Sequence, residues 1–110
     1  MMESDYARMR LVVLFDMPVE TKPQRREYVK FRDWIMDDGF LMMQYSVYVR
    51  NCPNDSAAEK HISRVRSFKP KYGNVRILKV TEHQYQNIIM VAGEKTEQET
   101  LDSEDTLIVI

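Results

Sequence analysis

Leu11-Val12-Val13-Leu14-Phe15-Asp16-Met17-Pro18 is the stretch on which the reading of the chain turns. Five consecutive apolar residues predict a strand buried on both faces. Pro18 has no backbone N–H to give a ladder, so the strand stops there. Asp16 then lies at the tip of a core strand, where a carboxylate needs a partner to offset lost solvation. Three roles suit it: capping the following loop, pairing with a base, or holding a hard cation.

Upstream, residues 1–8 read as a frayed leader, and strand one runs from Arg10 to Phe15. Downstream, Thr21 and Gln24 have capping-box spacing, and Pro23 suits a first helical turn. The helix they open carries Tyr28, Phe31, Trp34 and Ile35 on one face, and Gly39 closes it as a left-handed cap. Leu41 to Arg50 reads as one strand, with Tyr45, Val47 and Val49 on one side and Gln44, Ser46, Tyr48 and Arg50 on the other. Asn51 to Asp55 forms a turn, and Ser56 with Glu59 makes a second capping box. The next helix buries Ala58, Ile62, Val65 and Phe68, and ends at Lys69-Pro70 and Gly73. Val75 to Thr81 reads as strand three and Tyr85 to Val91 as strand four. After Gly93 the chain turns polar and acidic, until Leu107-Ile108-Val109-Ile110 closes it with an apolar strand.

This order predicts an α+β fold, a ferredoxin-like βαββαβ sandwich with both helices on one face of the sheet and an extra C-terminal strand. Residues 1–93 form the domain, 94–106 an acidic connector, and 107–110 the terminal strand. The other sheet face has no helix in this reading, and strand one is too apolar for water on either side. A sheet-to-sheet homodimer follows as the expectation. Four apolar residues with an open backbone edge would invite aggregation if left exposed. The connector reaches about 40 Å at roughly 3.3 Å per residue, so the last strand can pair with its own sheet edge or with a neighbour's, and exchange between copies is the favoured expectation.

Composition sets outer limits. A chain of 110 residues builds one core with little margin. No apolar run approaches a membrane span and no signal peptide opens the sequence, which points to a cytoplasmic protein without a membrane partner. Cys52 is the single cysteine, so no internal disulfide forms, and Cys52, His61 and His83 lack zinc-site spacing. The net charge of −1 hides a division. Residues 1–93 carry 15 basic against 11 acidic side chains, whereas residues 94–110 carry one against six. A basic body with an acidic tail suits nucleic-acid binding; a solvated charged face is the plainer alternative.

The ordered residues also resemble a known family, the small CRISPR-associated protein two family, the non-integrase subunit of spacer acquisition. Leu11 to Pro18 and Gln44-Tyr45-Ser46-Val47-Tyr48-Val49-Arg50 carry the resemblance, with Val75 to Val80 and Ile88 to Gly93 in support. It covers residues 9–93, and the extended tail is similar to versions beside the large single-effector, type II interference systems. The resemblance implies a prokaryotic, ferredoxin-like homodimer with strand-one aspartates facing each other near the two-fold axis. It implies Mg²⁺-dependent endonuclease activity on RNA or double-stranded DNA. It also implies a bridging role, in which the dimer binds the integrase subunit and a short DNA duplex during spacer acquisition. Asp16 matches the family's metal ligand and is the candidate catalytic residue.

Symmetry gives Asp16 a physical rationale. Two like charges meeting across an axis repel, and a Mg²⁺ ion between them removes the conflict. Such an ion would polarise a phosphodiester and acidify a water. Capping of the loop is the competing structural role. Glu20 and His83 are possible helpers without a compelling placement. Ser46 and Tyr48 read as packing and hydrogen-bonding residues. Arg25, Arg26, Lys30 and Arg32 on the first helix, Arg8 and Arg10 before strand one, and Arg76 and Lys79 on strand three are candidates for holding duplex phosphates without reading bases. The leading expectation is an adaptor, a homodimeric bridge that organises integrase subunits on a short duplex. The alternative is a stand-alone Mg²⁺-dependent endonuclease using paired Asp16, and a third class is a regulatory module for a small ligand. The last lacks a glycine-rich signature, since the chain has three glycines.

Overall fold

A computed structural model describes residues 7–93. The elements run β1 (Met9–Asp16), α1 (Lys22–Asp37), β2 (Leu41–Gln44), β3 (Val47–Cys52), α2 (Asp55–Phe68), β4 (Asn74–Thr81) and α3 (Glu82–Gln86). The four strands form one sheet in the order β2-β3-β1-β4, with every neighbouring pair antiparallel. The expected acidic connector and exchanged terminal strand fall outside the described residues.

Local chemistry explains most boundaries. Thr21 caps α1 with both halves of the capping box in place: its hydroxyl accepts from Gln24 N–H, and the Gln24 side chain accepts from the Thr21 N–H. Gly39, at φ +95°, turns the chain out of α1 and into β2. A Cβ there would lie 2.9 Å from Arg50 Nε, and Arg50 in turn donates to the Asp38 carbonyl at 2.8 Å. The cap of α2 is Asn54, whose side chain accepts from Ala57 N–H at 2.8 Å, and not the expected Ser56. Asn54 reaches the N3 amide first, so Ser56 lies inside the helix.

Two expected strands are corrected. Leu41 to Arg50 is a hairpin, not one strand: Gln44 faces Val47 across a two-residue loop of Tyr45 and Ser46. Ser46 takes φ +67° to make the turn. Residues 85–91 are not strand four. Thr81 and Gln84 form a reciprocal capping box that starts α3, and Tyr85 is buried beneath it. The closing strand of the sheet is therefore β4, read from sequence as the third. The β-α-β-β-α-β succession holds because one correction adds a strand and the other removes one.

Strand alternation separates two faces. Leu11, Val13, Phe15, Tyr48 and Cys52 point to one side and pack with Phe31 and Ile35 of α1 and Ala58 and Val65 of α2. Phe15 and Phe31 meet edge to face at 5.1 Å, and Phe15 stacks on Tyr48 at 5.8 Å. The opposite side carries Val12, Val49 and Tyr85 as a smaller cluster. That face is not bare, as the sequence suggested: α3 folds back across part of it.

Candidate functional site

Asp16 closes β1 on the side of the sheet away from α1 and α2. Its register partner is Asn74, the first residue of β4. Asp16 Oδ1 accepts from the Asn74 backbone N–H at 3.1 Å and from Asn74 Nδ2 at 3.2 Å. The preceding Gly73 has φ +81°, and a Cβ on it would fall 2.2 Å from the Asp16 carbonyl oxygen and 2.8 Å from Met17 Cα. Only glycine permits this approach, so the α2–β4 loop is fitted tightly to the end of β1.

The carboxylate opens into a cleft of about 330 Å³ lined by Leu14, Phe15, Asp16, Ser46, Val47, Asn74 and Arg76. Arg76 lies two residues beyond Asn74 on the same face of β4, opposite Leu14. Ser46 reaches the cleft because its carbonyl accepts from Phe15 N–H at 3.0 Å, which ties the hairpin turn to the end of β1. A carboxylate, a guanidinium, an amide and a hydroxyl thus share one exposed cleft. The resemblance pointed to Asp16. Sequence reasoning gave Arg76 only a place in a general basic surface, read Ser46 as packing, and missed Asn74 altogether.

As a metal centre the cleft is sparse. Among the described residues no cluster of three or more His, Cys, Asp or Glu side chains forms. The cleft lining offers one carboxylate, Asp16. That suits Mg²⁺, which is commonly held by one or two carboxylates while keeping several waters, and does not suit zinc.

The other candidates divide. Arg10 is 1% exposed, and it donates to Glu82 through Nε at 2.6 Å and NH2 at 3.1 Å. Its guanidinium also lies 4.2 Å from the centre of the Tyr85 ring. Its charge is used to fasten α3, which corrects its assignment to a nucleic-acid surface. Burial favours the neutral form of Glu82, but hydrogen bonds from Arg10 and Gln86 and the charges of Arg10 and Arg8 outweigh it and lower the carboxyl pKa. Arg8 takes part through its backbone carbonyl, which accepts from Glu82 N–H. Lys79 lies on the helix-covered side and bonds Asp55 and Glu59 of α2, both at 2.6 Å; these hydrogen bonds raise its pKa. It too is committed within the fold.

Arg25 donates to the carbonyls of Val19 and Glu20 and braces the loop before α1. Arg32 pairs with Asp33 at 3.3 Å. Arg26 and Lys30 are exposed and line a second cleft with Pro23, Glu27, Lys71 and Tyr72. Lys71, which the sequence reading passed over, joins them because its N–H donates to Glu27 at 2.9 Å. Tyr48 is buried, and burial followed by nearby Tyr28 raises its phenol pKa, which suits packing and not proton transfer. Glu20 and His83 do not line the Asp16 cleft.

Comparison with known proteins agrees with this architecture. A family model described as "CRISPR associated protein Cas2" matches residues 9–88. The chain is 45% identical over 101 residues to a protein of Ligilactobacillus salivarius named CRISPR-associated endoribonuclease Cas2, covering 92% of this chain and 100% of that one. A relative of the same name from Streptococcus mutans is 41% identical, covering 79% of this chain and 80% of its own. A solved structure titled "Crystal structure of cas2" superposes with a TM-score of 0.56 at 13% identity, covering 83% of this chain and 93% of that one. At that identity the likeness speaks for the fold alone. With its four-stranded antiparallel sheet, its helices and these relatives, the chain belongs to the CRISPR-associated protein Cas2 family.

Proposed function

We propose that this protein is a metal-dependent endoribonuclease of a CRISPR system, with Asp16 as the metal ligand and catalytic residue. The observation that carries the reading is the shared cleft of Asp16 and Arg76 at the tip of β1. An exposed carboxylate beside a guanidinium suits a phosphodiester: the cation draws the phosphate in, and the carboxylate holds the ion that activates it. The names of the relatives supply RNA as the substrate class. Bound Mg²⁺ supplies Lewis acidity at the scissile phosphate. Arg76 offsets the charge of the phosphate oxygens, and Ser46 lines the cleft wall beside it. One carboxylate in the cleft supports a paired site, in which two copies of a ferredoxin-like sandwich bring two Asp16 side chains together.

Asp16→Asn keeps the size of the side chain and removes its charge. We expect it to lower Mg²⁺-dependent cleavage of a labelled RNA by at least about a hundredfold, with the folded state retained. Unchanged cleavage by the variant would refute the assignment. Duplex DNA in a parallel reaction separates the two substrate classes.

A second reading, a homodimeric bridge that binds an integrase subunit and a short DNA duplex in spacer acquisition, is favoured by the apolar character of the open sheet face. Leu14, Leu41 and Leu78 are all exposed there. On this reading Asp16→Asn still supports integration alongside the partner, and the exposed Arg26 and Lys30 hold the duplex backbone. Binding then weakens steeply with salt and responds little to base sequence.

A further inference from the structure

We infer that Asn74 is a positioning residue that presents Asp16 to its ligand through one oxygen only. This inference rests on the assignment of Asp16 as a metal ligand and extends it to a residue that has no titratable group.

The geometry is specific. Asn74 gives Asp16 two donors, its backbone N–H and its side-chain amide, and both go to Oδ1. Oδ2 accepts no hydrogen bond from the described residues. The two carboxylate oxygens are therefore inequivalent: Oδ1 is committed to the start of β4, and Oδ2 is left to the cleft. Two donors on one oxygen hold the carboxylate plane against rotation, which an exposed aspartate would otherwise undergo freely. Loss of a partner that orients a metal-binding side chain in this way typically weakens metal affinity about 10- to 100-fold.

The loop is built to hold Asn74 in place. Gly73 brings the backbone against the Asp16 carbonyl, closer than any side chain permits. Lys71 N–H, three residues before Asn74, is fastened to Glu27 of α1. A surface asparagine that merely closed a turn would not need its neighbours fixed on both a strand end and a helix. The arrangement also accounts for a one-carboxylate site. With Oδ1 committed to Asn74, Asp16 would offer Mg²⁺ a single oxygen.

The test uses the full chain and Mn²⁺ as a spectroscopic probe for the divalent site. Free Mn²⁺ is followed by paramagnetic resonance in titrations of the wild-type protein, Asn74→Ala, Asn74→Ser and Asp16→Asn. Asn74→Ala keeps the backbone donor and removes the amide. It is expected to weaken Mn²⁺ binding about 10- to 100-fold. The rate constant for cleavage should fall at saturating RNA while KM for RNA stays within about twofold, and the thermal midpoint should move little. Asn74→Ser restores a side-chain donor and is expected to recover part of the affinity. Wild-type Mn²⁺ affinity in Asn74→Ala overturns the inference alone. A rise in KM without loss of metal affinity overturns it too, because Asn74 would then act on RNA and not on Asp16. If Asp16→Asn binds Mn²⁺ as well as the wild type does, the Asp16 assignment falls and the inference falls with it.

Discussion

Along the Leu11–Phe15 run of β1, residues facing either side are apolar but meet different fates. Leu11, Val13 and Phe15 are sealed beneath α1 and α2. On the other side Val12 packs with Tyr85, while Leu14 remains 40% exposed and Leu78, opposite Val12 on β4, 53% exposed. The same side also carries the buried Arg10–Glu82 pair and the Asp16 cleft. One face is thus a completed core made by two amphipathic helices. The other is a partial surface on which charged and polar groups have defined positions. Within that central run, apolar character does not distinguish them. What does is whether this chain brings a complementary helix stripe to each face.

That contrast can be broken most severely from the covered side. Phe31→Ala removes a fully buried ring that touches Phe15 and Phe68. A loss of about 3–5 kcal/mol is expected in denaturant unfolding. On the open side the largest effect should come from Glu82→Ala, which removes a bidentate carboxylate partner of the buried Arg10 guanidinium. About 3 kcal/mol is the expected cost. Hydrogen exchange in residues 82–88 would show α3 loosening first, while α1 stays protected.

The same ion pair gives the open face a pH dependence. The folded-state pKa of Glu82 lies below the ordinary carboxylate value of 4.5. The unfolded chain therefore takes up the proton first, and the stabilisation from this group is present above 4.5. It is lost as pH falls through the lowered folded value. Tyr85 should become accessible in that acid range, measured by its reactivity or exchange, and Glu82→Gln should abolish the dependence.

Gly73→Ala tests the seam between the faces. A left-handed backbone angle costs an alanine about 1–3 kcal/mol, and the clash with the Asp16 carbonyl adds to it. Part of the loss should appear as displacement of Asp16 and weaker Mn²⁺ binding. The smallest effect on the fold is expected from Leu78→Ala, within about 0.5 kcal/mol. If two copies meet through the open face, this variant should weaken their association about tenfold or more, because each Leu burial contributes roughly 1.5–3 kcal/mol. Sedimentation over a concentration series measures it, and unchanged association would remove Leu78 from any such interface.

Signals confined to a few neighbouring residues were legible. Thr21 and Gln24 announced α1, and Phe31 and Ile35 landed in the core at the positions their spacing required. Asp16 drew attention because a carboxylate after five apolar residues is conspicuous, and the resemblance supplied its role as a candidate. The hairpin was missed because Tyr45-Ser46 lacks the Asn-Gly or Asp-Gly pattern that marks a two-residue loop. Alternation continued through it and imitated a single strand. Helix α3 was missed although Thr81 and Gln84 have capping-box spacing, because the apolar residues from Tyr85 to Val91 suggested β structure more strongly. Arg10 read as a surface cation, since nothing near it in sequence announces a carboxylate 72 residues away.

Short-range chemistry in the sequence determined the first helix, its caps, the core stripe and the acidic end of β1. Those depend on hydrogen bonds and periodicities that span only one or two helical turns. Tertiary structure alone decided that Arg10 is buried against Glu82, that Lys79 is clamped to α2, and that Asn74 and Arg76 stand beside Asp16. Each of these pairings joins residues far apart along the chain, and their meeting follows from strand order and register, which no local pattern encodes.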